Sequence, residues 1–160
     1  MSGTGERLAA LERRLNAAED ELAIIRLVAS YGPLVDCGNT QLAPSLFTLE
    51  GVYDVSYSRI VGHGPFSEML QGEQHQQFVK DGIAHVMGLP WVRVMGDRAI
   101  AINSTQLYLR DGEGYSIFRV AQNEWKLAHT SEGWKVTERT NRLIGPDGDA
   151  VGLLRQAING

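Results

Sequence analysis

Two residues carry chemistry that their immediate neighbours do not explain. Asp36 follows Leu34 and Val35 at the end of the first long helical segment, where a carboxylate opposes the negative end of the helix dipole. A partner elsewhere in the fold would account for it. His85 opens a strand-like segment between Ala84 and Val86. An imidazole can exchange a proton near neutral pH, although a lone histidine among apolar residues is more often a core residue satisfied by its surroundings. A third signal comes from alternation. Ala121, Trp125 and Leu127 share one parity and Gln122, Glu124 and Lys126 the other, yet Asn123 and Arg119 fall on the apolar side. Ala99, Ala101, Leu107 and Leu109 likewise share their parity with Asn103 and Thr105. A buried amide without partners costs a few kcal/mol. These groups therefore either bond to one another in the core or line a pocket as oriented donors, and their convergence on one sheet face favours the pocket. His63, His75 and His129 show no metal-ligand spacing, so no metal site is expected, and Cys37 reads as a structural thiol.

The elements that must position these groups divide the chain into helices first and strands after. Leu8, Leu11, Leu15, Ala18, Leu22 and Ile25 repeat at three-then-four spacing, a heptad seam that predicts a helix over 6–31. Its first half needs a partner surface, either a second subunit or its own domain. Gly32-Pro33 predicts a kink or stop, because proline lacks the N–H for the carbonyl four residues back. Gly38 is the expected C-cap. A short helix is expected over 41–49, a strand over 52–57, a loop with at most one helical turn over 61–72, and a helix over 73–81. The segments 84–94, 98–110, 114–129 and 134–141 are rich in β-branched and aromatic residues. Met95-Gly96-Asp97, Asp111-Gly112-Glu113 and Thr130-Ser131-Glu132-Gly133 separate them with hairpin turn chemistry. This pattern predicts an α+β fold with a curved antiparallel sheet, and 151–158 a short capping helix.

The 160 residues suit one domain, with 43% hydrophobic and 21% charged residues and a net charge of -4. Scattered basic residues argue against a nucleic-acid footprint, and no apolar run approaches the ~20 residues of a membrane span. No secretory signal is read at the N-terminus, and a single cysteine fits a reducing cytoplasm. A helical extension over 1–21, a domain over 22–145 and a tail or capping helix over 146–160 are the expected divisions.

Tyr31 to Asn39 with Leu46-Phe47, then Ala84-His85-Val86-Met87-Gly88, then Asn123-Glu124-Trp125 and the hairpin Thr130 to Val136, together resemble the nuclear-transport-factor-2-like (NTF2-like) superfamily. Within it the resemblance is to the branch of SnoaL-like polyketide cyclases and scytalone dehydratase. It covers roughly residues 22–141 and implies a cone-shaped, cystatin-like fold: a curved antiparallel sheet wrapped around N-terminal helices. It further implies a cofactor-free lyase of the dehydratase type acting on a small cyclic or aromatic apolar substrate. Asp36 and His85 would be the catalytic acid–base dyad, and Tyr31, Tyr53, Asn103, Arg119 and Asn123 the substrate contacts. An isomerase or cyclase using the same pocket, and a noncatalytic ligand-binding protein, are the alternatives. A homodimer or higher homo-oligomer is expected, with Val92, Val94, Ile100, Ile102, Phe118 and Val120 as an apolar outer face. The sequence departs from the dehydratase pattern in having no second histidine near Tyr108-Leu109, and Pro33 threatens to turn the Asp36 carboxylate away from His85. The ketosteroid isomerase pattern matches at Tyr31, but its base falls on Val55, one position from Asp54, and a one-residue slip reverses the face.

Overall fold

The computed structural model describes residues 2–146 and 148–159; Met1, Asp147 and Gly160, which close or interrupt the expected end segments, lie outside the described residues. Helix α1 runs over Ser2–Asp36 with Pro33 inside it. The helix neither kinks to a stop at Gly32-Pro33 nor ends at Tyr31. Proline removes one hydrogen bond in what is already the last turn, and the Cys37 N–H still reaches the Pro33 carbonyl at 3.0 Å. Gly38, at φ 72°, then turns the chain, as its αL conformation allows. Ile24, Val28, Tyr31 and Val35 form the buried stripe of the helix, at the spacing that places them on one face.

Strands β1 (Phe47–Val55), β2 (Ser58–Val61), β3 (Ile83–Met87), β4 (Trp91–Met95), β5 (Arg98–Asp111), β6 (Gly114–Thr130) and β7 (Gly133–Leu143) make one seven-stranded sheet. Its order is β2-β1-β7-β6-β5-β3, with β4 also pairing with β5. All pairs are antiparallel except β1 with β7, which is parallel. The curved, unclosed sheet is therefore mixed, and with its helices it forms the α+β cone. Bulges between Leu107 and Tyr108 against β6, and between Lys126 and Leu127 against β7, bend it.

Four local expectations are corrected. Pro44 limits the predicted 41–49 helix to a single 3-10 turn, Pro44–Leu46, after which β1 begins. The predicted loop at 61–72 holds helix α2, His63–Gln71. Pro65 sits in its first turn, where no intrahelical N–H is needed, and Phe66 and Leu70 are buried one turn apart. The predicted 84–94 strand is two strands broken by Gly88-Leu89-Pro90, with the Gly88 N–H held by the Ser104 carbonyl at 2.8 Å. The proposed outer apolar face is not one face. Val92 and Val94 pack on the core. The bulge leaves Phe118 outside the β5–β6 register, and Phe118 and Val120 line the cavity instead. Helix α3, Glu73–Asp81, matches its predicted span.

Cross-strand register places Arg93 with Ile100 and Lys126, and Ile102 with Glu124, on the outer face. Helix α4, Ala150–Asn159, covers part of that face; the Arg93 guanidinium donates to the Ala157 carbonyl at 3.2 Å. Glu124 is buried there, and burial pushes its carboxyl above the usual range, against the opposing pull of Lys126.

Candidate active site

The cone holds a partly open cavity of about 960 Å³ between α1, α2, α3 and the inner face of the sheet. Its walls are mainly apolar, among them Val35, Leu70, Phe78 and Leu107, and the polar lining includes Tyr31, Tyr53, His75, His85 and Arg119. Along one wall the last turn of α1 meets the first residues of β3. Asp36 accepts two hydrogen bonds from one residue: Oδ1 from the His85 ring Nδ1 at 2.6 Å, and Oδ2 from the His85 backbone N–H at 2.7 Å. The double contact fixes both the ring and the strand that carries it. A carboxylate only accepts, so Nδ1 carries a proton, and in the neutral ring it is Nε2 that keeps the lone pair. Nε2 has no protein partner among the described residues. Pro33 does not turn the carboxylate away.

Gly32 makes this approach possible. A Cβ at Gly32 would collide with the His85 carbonyl oxygen and sit 3.3 Å from the His85 Cβ. The glycine that reads as a helix breaker is the contact point between α1 and β3. Gly32→Ala is expected to push His85 from Asp36 and cost about 1–3 kcal/mol by overpacking. Thermal unfolding, together with loss of the Nδ1-protonated tautomer in ¹⁵N NMR, would measure it; an alanine variant with an unchanged imidazole spectrum would contradict it.

Tyr31 stands edge-on to His85 at 6.3 Å and edge-on to Trp125 at 5.5 Å. It is fully buried, and burial first, then the neighbouring Tyr53, hold its phenol well above the usual range, while Arg139 works in the other direction. The phenol thus remains a donor. Beneath these rings lies the buried Arg139 guanidinium, 4.0 Å from the Tyr31 ring centre, 4.5 Å from Trp125 and 5.0 Å from Tyr53. Among the described residues no carboxylate pairs with it. Its Nε and Nη2 donate to the Asn123 Oδ1 at 3.1 and 2.8 Å.

This places the predicted contacts in two groups. Tyr31, Tyr53 and Arg119 line the cavity, Arg119 donating to the Tyr57 hydroxyl at 3.0 Å. Asn103 and Asn123 do not. Asn123 gives its amide hydrogens to the Asn103 carbonyl and the Thr105 hydroxyl and accepts from Arg139 and Asn141. Asn103 donates to the Gly88 carbonyl and accepts from the Trp125 indole. Their inward parity reflects a buried core network set apart from the cavity lining.

The sequence offered His75 only as a histidine without metal-ligand spacing. It lies in the cavity wall on α3, and its Nε2 donates to the Val35 carbonyl at 3.3 Å. Burial lowers its affinity for a proton, with the Val35 bond opposing and His85 adding to the effect. A second imidazole thus reaches the cavity from a helix, whereas the dehydratase pattern carries its second histidine on a strand. Phe78, three residues on and also in the wall, is the helical-spacing signal that identifies this face of α3.

The SnoaL-like domain family matches residues 16–140. The chain belongs to this family. An NTF2-like protein with a cystatin-like fold from Novosphingobium aromaticivorans is 31% identical, with 92% of this chain and 96% of that one covered at a TM-score of 0.89. An NTF2-like superfamily protein from Salmonella enterica is 16% identical over 78% of this chain and 91% of its own, with a TM-score of 0.67. A Nostoc punctiforme protein with a cystatin-like fold is 16% identical over 81% of this chain and 93% of its own, with a TM-score of 0.70. The last two show the fold alone. No curated protein matches the chain. Among the described residues of this SnoaL-like protein, no helix is long and apolar enough to cross a membrane.

Proposed function

We propose that this SnoaL-like domain is a proton-abstracting lyase of the dehydratase type, acting without a cofactor on a small cyclic or aromatic hydroxy ketone. The observation that carries this reading is the Asp36–His85 pair at 2.6 Å with the second imidazole nitrogen uncommitted, set in the wall of a mostly apolar cavity. Asp36 holds the tautomer and balances the charge the ring gains on taking a proton. His85 Nε2 removes a hydrogen from the carbon next to the substrate carbonyl, and the electron pair moves to the carbonyl oxygen. The Tyr31 phenol, with Tyr53 beside it, stabilises that oxyanion by donation. The enolate collapses, the β C–O bond breaks, and the departing hydroxyl takes the proton from Nε2 and leaves as water. His75 offers a neutral ring to hold that water. Isomerisation and aldol-type cyclisation share the first step, so the same pocket serves them as alternatives, and a purely ligand-binding role is the reading without chemistry.

Incubating the protein in D₂O with a panel of cyclic β-hydroxy ketones tests the shared step. Deuterium should enter the carbon next to the carbonyl of those that fit, with enone appearing where elimination completes. Saturation of the cavity by a panel member with no incorporation at all would refute proton abstraction and leave the binding role.

A further inference from the structure

The N-terminal half of α1 carries an apolar seam that its own domain does not cover. Leu8, Leu11, Leu15 and Leu22 are 57%, 56%, 58% and 44% exposed, although they repeat at the a and d positions of a heptad. The domain holds the helix by the opposite side. The Trp134 indole donates to Asp20 at 2.9 Å, and Ile24 and Val28 are fully buried. Leu22 lies roughly 160° around the helix from Ile24 at 100° per residue. The seam therefore faces outward while the domain grips the other face, and both can be occupied together.

We propose that this seam is the contact between two copies of the chain, joined as a parallel, in-register pair of α1 helices over residues 7–26. The flanking charges select this occupant and this direction. With Leu8, Leu15 and Leu22 at position a and Leu11, Ala18 and Ile25 at d, the g positions hold Arg7, Arg14 and Glu21 and the e positions Glu12, Glu19 and Arg26. In a parallel pair each g residue faces the e residue five positions on in the second copy. Arg7 then meets Glu12, Arg14 meets Glu19 and Glu21 meets Arg26, opposite in sign at every position and doubled by symmetry. An antiparallel pairing of the same seam, Leu8 against Ile25, sets Glu12 against Glu19 and Arg14 against Glu21, so repulsion cancels attraction. Single exposed ion pairs contribute little to stability, so the leucines supply the association and the charges its register and choice of partner. A free three-heptad helix is marginal in water. Here the domain already orders its C-terminal half, which removes much of that cost. The outer sheet face, partly covered by α4, is not needed.

Light scattering on the full chain at micromolar concentration should give twice the mass of one chain, and Leu11→Glu/Leu15→Glu should reduce it to one while leaving thermal unfolding cooperative. A parent protein that stays monomeric, or a dimer indifferent to both substitutions, would overturn the proposal. Direction is read with exposed charges that do not affect folding. A chain with Glu12→Arg, Glu19→Arg and Arg26→Glu, and another with Arg7→Glu, Arg14→Glu and Glu21→Arg, should each be monomeric alone and form a one-to-one heterodimer when mixed. Homodimers that persist in either variant would rule out the parallel register.

Discussion

His85→Ala is expected to lower proton abstraction from any substrate of this pocket by roughly 10²–10⁴-fold, the usual worth of a positioned general base. Asp36→Asn should cost a comparable amount by a different route. An asparagine can keep the acceptor for the His85 backbone N–H, now 2.7 Å from Asp36 Oδ2, so the strand stays in place. Its amide can then donate to Nδ1, where the carboxylate now accepts at 2.6 Å, and the ring proton moves to Nε2. The lone pair that faces the substrate is lost while the fold is kept. The two variants therefore separate position from tautomer: the alanine removes the base, and the asparagine points the wrong nitrogen at the substrate. Deuterium exchange and turnover on a panel substrate measure both, with circular dichroism confirming the fold. Full turnover in either variant would show that the dyad is not the base.

The pairing of Asp36 with His85 was legible because each residue is anomalous where it stands: an acid at a helix C-terminus and a histidine at the start of an apolar strand. Long-range partners are not written in spacing, and here the family resemblance joined them. Gly32 illustrates what remained hidden. Locally it is a helix-weakening residue before proline, and only the packing of α1 on β3 shows that the absent Cβ is the requirement. The place of His75 in the cavity wall was hidden for a related reason. Its helix is short and polar, and a cavity wall needs only one face of it. Asn103 and Asn123 do lie on the inner face, as their parity indicates, but alternation reports the side of a sheet and not whether that side is filled or hollow. Around Trp125 the inner face is packed; approaching the β5–β6 bulge it opens to the cavity, which Leu107, Arg119 and the bulged Phe118 line. The bulge itself has no sequence signature apart from the change in parity that it causes.

Asn123→Leu is expected to destabilise the fold by about 3–5 kcal/mol, the scale found when one partner of a buried charged group is removed. In a domain of this size that lowers Tm by roughly 6–20 °C. Asn123 accepts from both Nε and Nη2 of Arg139, so leucine strips the guanidinium of the two hydrogen bonds in which these nitrogens take part and leaves it only the faces of Tyr31, Tyr53 and Trp125. Cation–π contact with three rings offsets part of the desolvation, but it does not satisfy N–H donors, and Nη1 already lacks a protein partner. The cost should therefore depend on the charge of Arg139. In an Arg139→Met background the cation is replaced by an unbranched apolar chain that can rest on the same rings, and Asn123→Leu should then cost markedly less. A double-mutant cycle by denaturant unfolding measures the coupling. Equal costs in the two backgrounds would mean that Asn123 matters for its bonds to Thr105 and the Asn103 carbonyl alone. Strong coupling would identify the buried cation as the group the amide network exists to hold, and would place a fixed positive charge directly behind the two phenols that line the cavity.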